Sequence, residues 1–261
     1  MIREIASTIV SASKNLARKC VPDSLLKKRD IIHLLGPEAG RIYARLCLLD
    51  MLGIRTANKR LVPRSARSLV FVCHGNIMRS AMAEFFMRQA LQEMRLDKEV
   101  HLISAGLHAC AGREAHSWAQ EAAADLGISL VEHQAKPLTK AMVAGADCIL
   151  AMDFRNKAEL LTLYPEYKEK ICMLSAYAEG TGQYREIPDP YLGNLELTRF
   201  CARQLQSCVR NLIRSTFQDL LNRQNEKTSD GGQVQGNGSS GVSSGCNLQG
   251  KTKPANAVLK G

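Results

Sequence analysis

The sequence predicts an α/β fold: a four-stranded parallel, doubly wound sheet with flanking helices, plus an N-terminal helical extension and a disordered C-terminal tail. Three observations predict it. Residues 68–223 alternate short β-rich runs with helical stretches. Residues 1–67 carry 14 Lys/Arg against 5 Asp/Glu, whereas residues 68–261 carry 21 against 20, so nearly all of the net charge of +10 sits in the first quarter. The last stretch, 224–261, is rich in Gly, Ser, Asn and Gln and has no aromatic residue.

Each element follows from local pattern. In the first segment, Ile2, Ile5, Ile9 and Leu16 fall at helical spacing, as do Ile42, Leu46, Leu49 and Leu52. Pro37 opens the second stretch and Gly53 closes it. Two helices are expected, joined by the basic turn Lys27-Lys28-Arg29 and followed by a basic linker over 55–67. In the second segment, strands are expected over 69–73, 100–104, 147–152 and 170–174, with helices over 80–94, 114–126, 154–163 and 195–222. Strand-then-helix repetition implies right-handed crossovers and a parallel sheet. The tail has too little apolar surface to offset the entropy of ordering the chain.

Composition narrows the class. No apolar run is long enough to cross a membrane as a helix. Residues 1–21 lack the apolar block and small-residue cleavage site of a secretory signal, although an organelle transit peptide stays open as an alternative. Nine cysteines, with no C-x-x-C pair, argue against a disulfide framework and point to a reducing, cytoplasmic setting. The basic extension has two readings: docking to an acidic partner or anionic surface, or packing of its apolar faces on the core with Lys/Arg in water. The apolar Leu46, Leu48, Leu49, Met51 and Leu52 need cover and favour the second.

The chemistry concentrates after the first strand, in Cys73-His74-Gly75-Asn76-Ile77-Met78-Arg79-Ser80. A strand, a tight loop and a helix N-terminus converge backbone N–H groups and a helix dipole on one point, which is an anion cradle. Gly75 and Asn76 are suited to the left-handed backbone such a loop needs. Arg79 offers a planar fork for two phosphate oxygens. Cys73 stands at the mouth, where a thiolate is a nucleophile for phosphoryl transfer. A Cys and an Arg at this spacing are a weak string alone; their strand–loop–helix setting is what raises the reading.

The run V-F-V-C-H-G-N-I-M-R-S-A-M-A-E resembles the active-site loop of the low-molecular-weight protein tyrosine phosphatases. The resemblance continues through Ser104-Ala105-Gly106, the segment 127–139 with His133, D-C-I-L-A-M-D at 147–153 and I-P-D-P-Y at 187–191. It implies hydrolysis of phosphotyrosine in proteins, with a tyrosine-phosphorylated protein as the partner. Catalytic roles fall to Cys73 as nucleophile, Arg79 as phosphate clamp and Asp189 as acid and then base. Contacts to the phosphate or its aryl group fall to His74, Gly75, Asn76, Ile77, Met78, Ser80 and Tyr191. Ser104 and His133 resemble the network that supports the loop. No metal-ligand cluster or nucleotide fingerprint is visible in the sequence, and the implied reaction needs neither metal nor cofactor.

Departures from the family pattern matter too. Met78 stands where many members have a second Cys, so oxidised Cys73 is expected to lack that disulfide rescue. Ala81 replaces the usual Pro after R-S. The wall segment 107–112 shows Leu107, His108, Ala109 and Cys110 where an aromatic is frequent, and Trp118 is expected in helix core. Ile77 favours tyrosine over phosphoarginine, for which Thr is the associated residue. Arsenate reduction on the same fold needs redox cysteines that 153–163 lack. A non-catalytic phosphate-binding module is the remaining alternative.

Overall fold

The computed structural model describes residues 23–54, 61–178 and 186–222. The expected helix over 2–16 and the expected disordered tail lie outside the described residues. Four strands, β1 (Ser68–Cys73), β2 (His101–Gly106), β3 (Cys148–Ala151) and β4 (Ile171–Met173), form one sheet in the order β2-β1-β3-β4. All neighbours are parallel, with Phe71 level with Ser104 on one side and Leu150 on the other. The chain leaves β1 toward β2 and later crosses back to β3. The order therefore reverses at β1, and the crevice beyond its carboxyl end is where such sheets bind ligands.

Alternation along the strands builds two cores. Leu69, Phe71, Cys148, Leu150 and Cys172 point to one face. That face is covered by α2 (Arg79–Glu93), α3 (Ser117–Ala124) and α6 (Leu195–Thr216). Val70, Val72, Ile149, Ala151, Ile171 and Met173 point to the other. That face is covered by α1 (Asp23–Met51), α4 (Lys140–Gly145) and α5 (Phe154–Leu163). Trp118 packs half-buried against the first core, as expected.

The N-terminal segment departs from expectation. Lys27, Lys28 and Arg29 lie inside the helix, because all three are good helix formers. The break is at Gly36, whose φ of 76° and ψ of −179° suit glycine alone, and Pro37 restarts the helix with its preset φ. The halves then pack so closely that a Cβ on Gly40 would lie 2.7 Å from the Ile32 carbonyl oxygen. Tyr43, Leu46 and Cys47 of the second half are buried in the second core against α5. The described part of the expected linker is no free tether either: Val62 and Ala66 are buried, and the Val62 N–H donates to the Tyr177 hydroxyl at 2.8 Å.

Elsewhere the differences are small. α2 begins at Arg79, two residues before Ala81. α3 is shorter than 114–126, since Glu114 bridges Gln134 and His116 caps the helix by accepting the Trp118 N–H on Nδ1. α6 ends at Thr216, followed by a separate turn. The short helix α4 and the 3-10 turns at Pro165–Lys170 and Leu174–Tyr177 have no strong periodic signal in so few residues.

Candidate active site

The loop after β1 wraps around the Cys73 sulfur. The Asn76 backbone N–H donates to Sγ at 3.2 Å, and Ser80 Oγ lies 3.0 Å from it. Donors aimed at a sulfur ease its departure as a leaving group. Asn76 is the keystone. Its φ of 54° turns the loop. Its Nδ2 donates to Ser80 Oγ at 2.9 Å, and its Oδ1 accepts the Lys136 N–H at 2.8 Å. Its carbonyl accepts from His133 Nε2 at 2.6 Å, which fixes the proton of that ring on Nε2. Gly75 is not left-handed, contrary to expectation; a Cβ there would meet only Ile77, at 3.6 Å. The glycine the loop demands is Gly106 at the end of β2, where a Cβ would lie 2.8 Å from both Asn76 N and His74 O.

Arg79 is 2% exposed and points from the start of α2 toward the carboxyl edge of the sheet. Its Nη1 reaches Asp153 at 2.5 Å and the Ile187 carbonyl at 3.0 Å; its Nη2 reaches Asp189 at 2.7 Å. Burial works against the charged guanidinium, but Asp153 and Asp189 outweigh it and keep the group protonated. Asp189 is half-exposed and also accepts the Tyr191 N–H, at 3.2 Å. The acid loop is anchored from behind by the Ile187 N–H to the Met152 carbonyl at 2.8 Å.

Together these residues frame a pocket of about 210 Å³. Of the expected residues, Cys73, His74, Gly75, Ile77, Met78, Arg79, Asp189 and Tyr191 line it. Asn76, Ser80 and His133 lie behind it and shape the loop. Ser104 does not touch the loop: its hydroxyl donates to buried Glu84, so it ties β2 to α2 instead. The wall carries His108, Cys110 and Arg113. Met78 is buried and lines the same pocket as Cys73.

Two contributors were not singled out from sequence. Asp153 caps α5 by accepting the Asn156 N–H at 2.6 Å while it grips Arg79. Its place just beyond β3, the strand beside β1, is the signal that finds it. Glu186 accepts the Phe154 N–H at 2.6 Å. Burial, outweighing that hydrogen bond, and nearby Asp153 push its carboxyl up to about 7. A raised carboxyl favours the native state below about pH 4.5, and that contribution is lost as pH climbs through 7. Glu186→Gln is therefore expected to raise Tm relative to the parent at pH 8 and to gain little at pH 4. The effect is bounded by about 3 kcal/mol, and thermal melts across that range measure it.

A family model described as "Low molecular weight phosphotyrosine protein phosphatase" matches residues 68–227. The chain is 30% identical over 151 residues to the protein-arginine-phosphatase of Bacillus subtilis, covering 58% of this chain and 97% of that one. It is 37% identical over 134 residues to the probable low molecular weight protein-tyrosine-phosphatase EpsP of Ralstonia nicotianae, covering 51% and 83%. Among solved structures, the low molecular weight protein tyrosine phosphatase of T. tengcongensis superposes with a TM-score of 0.51 at 35% identity, covering 57% of this chain and 98% of that one. With Cys73, Arg79 and Asp189 in one pocket and the match running through all of the sheet, this chain belongs to the low-molecular-weight phosphotyrosine protein phosphatase family.

Proposed function

We propose that the protein hydrolyses phosphotyrosine in proteins through a phosphocysteine. The observation that carries this reading is the convergence of Cys73, Arg79 and Asp189 on one pocket. Cys73 Sγ attacks phosphorus in line, a P–S bond forms and the P–O bond to the aryl group breaks. The phosphoryl oxygens sit among the loop N–H groups and take the Arg79 Nη2 donor that Asp189 holds in the free enzyme. Asp189, displaced from Arg79 by the phosphate, takes up a proton from solvent, faces the leaving oxygen and gives it that proton. Asp189 then takes a proton from water as that water attacks phosphorus, the P–S bond breaks, and Ser80 stabilises the departing sulfur.

Ile77 lines the pocket next to the sulfur and supports tyrosine over arginine as the phosphorylated residue. The decisive measurement compares kcat/KM on matched phosphotyrosyl and phosphoarginyl peptides. The phosphotyrosyl peptide is expected to win by about tenfold or more, and a phosphoarginyl preference overturns the assignment. Asp189→Asn is expected to lower kcat on the phosphotyrosyl peptide by about 10²–10³-fold, with the least loss on substrates whose leaving group needs no proton.

The burial of Tyr43, Leu46 and Cys47 in the second core supports a role in the fold for the basic N-terminal helix, although Leu48, Met51 and Leu52, expected to be covered, are exposed. A thiol nucleophile that must stay reduced supports a reducing, cytoplasmic setting. Among the described residues, no helix is long and apolar enough to cross a membrane.

A further inference from the structure

Three side chains remote in sequence meet beside the phosphate pocket. His74 follows the nucleophile, His108 lies beyond β2, and Glu159 is on α5. One ligand atom from each lies within 4.8 Å of the other two. The imidazole rings of His74 and His108 face each other with centroids 4.6 Å apart. His108 Nε2 contacts Glu159 Oε2, and the other carboxylate oxygen is held by Arg155 Nε at 3.3 Å. His74 Nδ1 is buried with no hydrogen-bond partner among the described residues.

We propose that His74, His108 and Glu159 bind a divalent ion of the zinc class on the wall of the pocket, and that the bound ion inhibits turnover. Two imidazoles and a carboxylate are a donor set zinc accepts, and three protein ligands leave a fourth position open. Bond lengths of about 2.0–2.2 Å require donors closer together than the observed span. The half-exposed His108 ring can close that gap by rotating toward the others, whereas Glu159 is buried and fixed. Arg155 opposes a cation here but also orients Glu159, as outer-shell partners of metal ligands do. Because His74 and His108 line the pocket and Glu159 does not, an ion on this triad intrudes on the space the substrate's organic group needs while one ligand stays outside the reaction.

The inhibitory half of this inference rests on the phosphatase reading; the binding half does not. Zinc itself is the probe, titrated against a chromogenic chelator in the full chain. The Cys73→Ser background removes the competing thiolate. One zinc ion is expected to bind there, with affinity falling about tenfold or more in both Glu159→Gln and His108→Gln on that background. In the otherwise unaltered enzyme, Glu159→Gln is expected to retain basal turnover and to raise the zinc concentration for half-inhibition about tenfold or more. Equal zinc affinity with and without Glu159 and His108 overturns the site. So does binding that vanishes with Cys73 alone, accompanied in the cobalt-loaded parent by a thiolate-to-metal charge-transfer band. No phosphotyrosyl turnover by the zinc-free parent, with zinc still bound through His108 and Glu159, counts against the phosphatase reading and leaves the site intact.

Discussion

Cys73→Ser is expected to lower kcat by about 10⁴-fold or more while leaving the fold and phosphate binding in place. The hydroxyl is isosteric enough to keep the bonds from Asn76 N–H and Ser80 that close around the sulfur. It is far less ionised and a poorer nucleophile, so the P–S step has no effective counterpart. The clamp and the loop amides do not depend on sulfur, and the variant should still capture phosphotyrosyl peptides with KM-like affinity. Steady-state turnover together with retention of such a peptide checks both halves. Turnover within tenfold of the parent would remove Cys73 from the reaction and leave the pocket as a binding module.

Arg79→Lys is expected to lower kcat/KM by about 10³-fold although the charge is kept. The guanidinium serves three partners at once: Asp153, Asp189 and the Ile187 carbonyl. An ammonium on a flexible stem cannot hold Asp153 with one nitrogen while offering another to phosphate. The loss should fall on kcat as well as KM, because the fork tightens as charge redistributes over the equatorial oxygens. A variant affected in KM alone would mean that Arg79 only collects substrate. Thermal melts should show a drop too, since Asp153 and the acid loop lose their common anchor.

Much of this architecture is legible in sequence because its signals are local. The run of β-formers ending at Cys73, followed by a glycine, an asparagine and a basic residue at a helix start, specifies strand, cradle and clamp within a dozen positions. Asp189 is legible through the resemblance of I-P-D-P-Y to the family's late loop, taken together with the Cys-Arg loop. What escapes is whatever depends on distance in space. Asp153 looks like an ordinary helix cap until Arg79 is seen to lie against it. Ser104 looks like loop support, but the side of β2 it faces belongs to α2 and Glu84. The turn in the N-terminal segment lies at Gly36-Pro37 and not at the expected Lys27-Lys28-Arg29, because a charge cluster resembles a loop in sequence whereas a Gly-Pro pair with φ of 76° enforces one. His74, His108 and Glu159 share no sequence neighbourhood at all.

The helical hairpin ahead of the sheet has a consequence for protein engineering. Tyr43, Leu46 and Cys47 pack over α5 within the second core. A fragment trimmed back to Ser68 would bare the side of α5 that these residues cover and invite self-association.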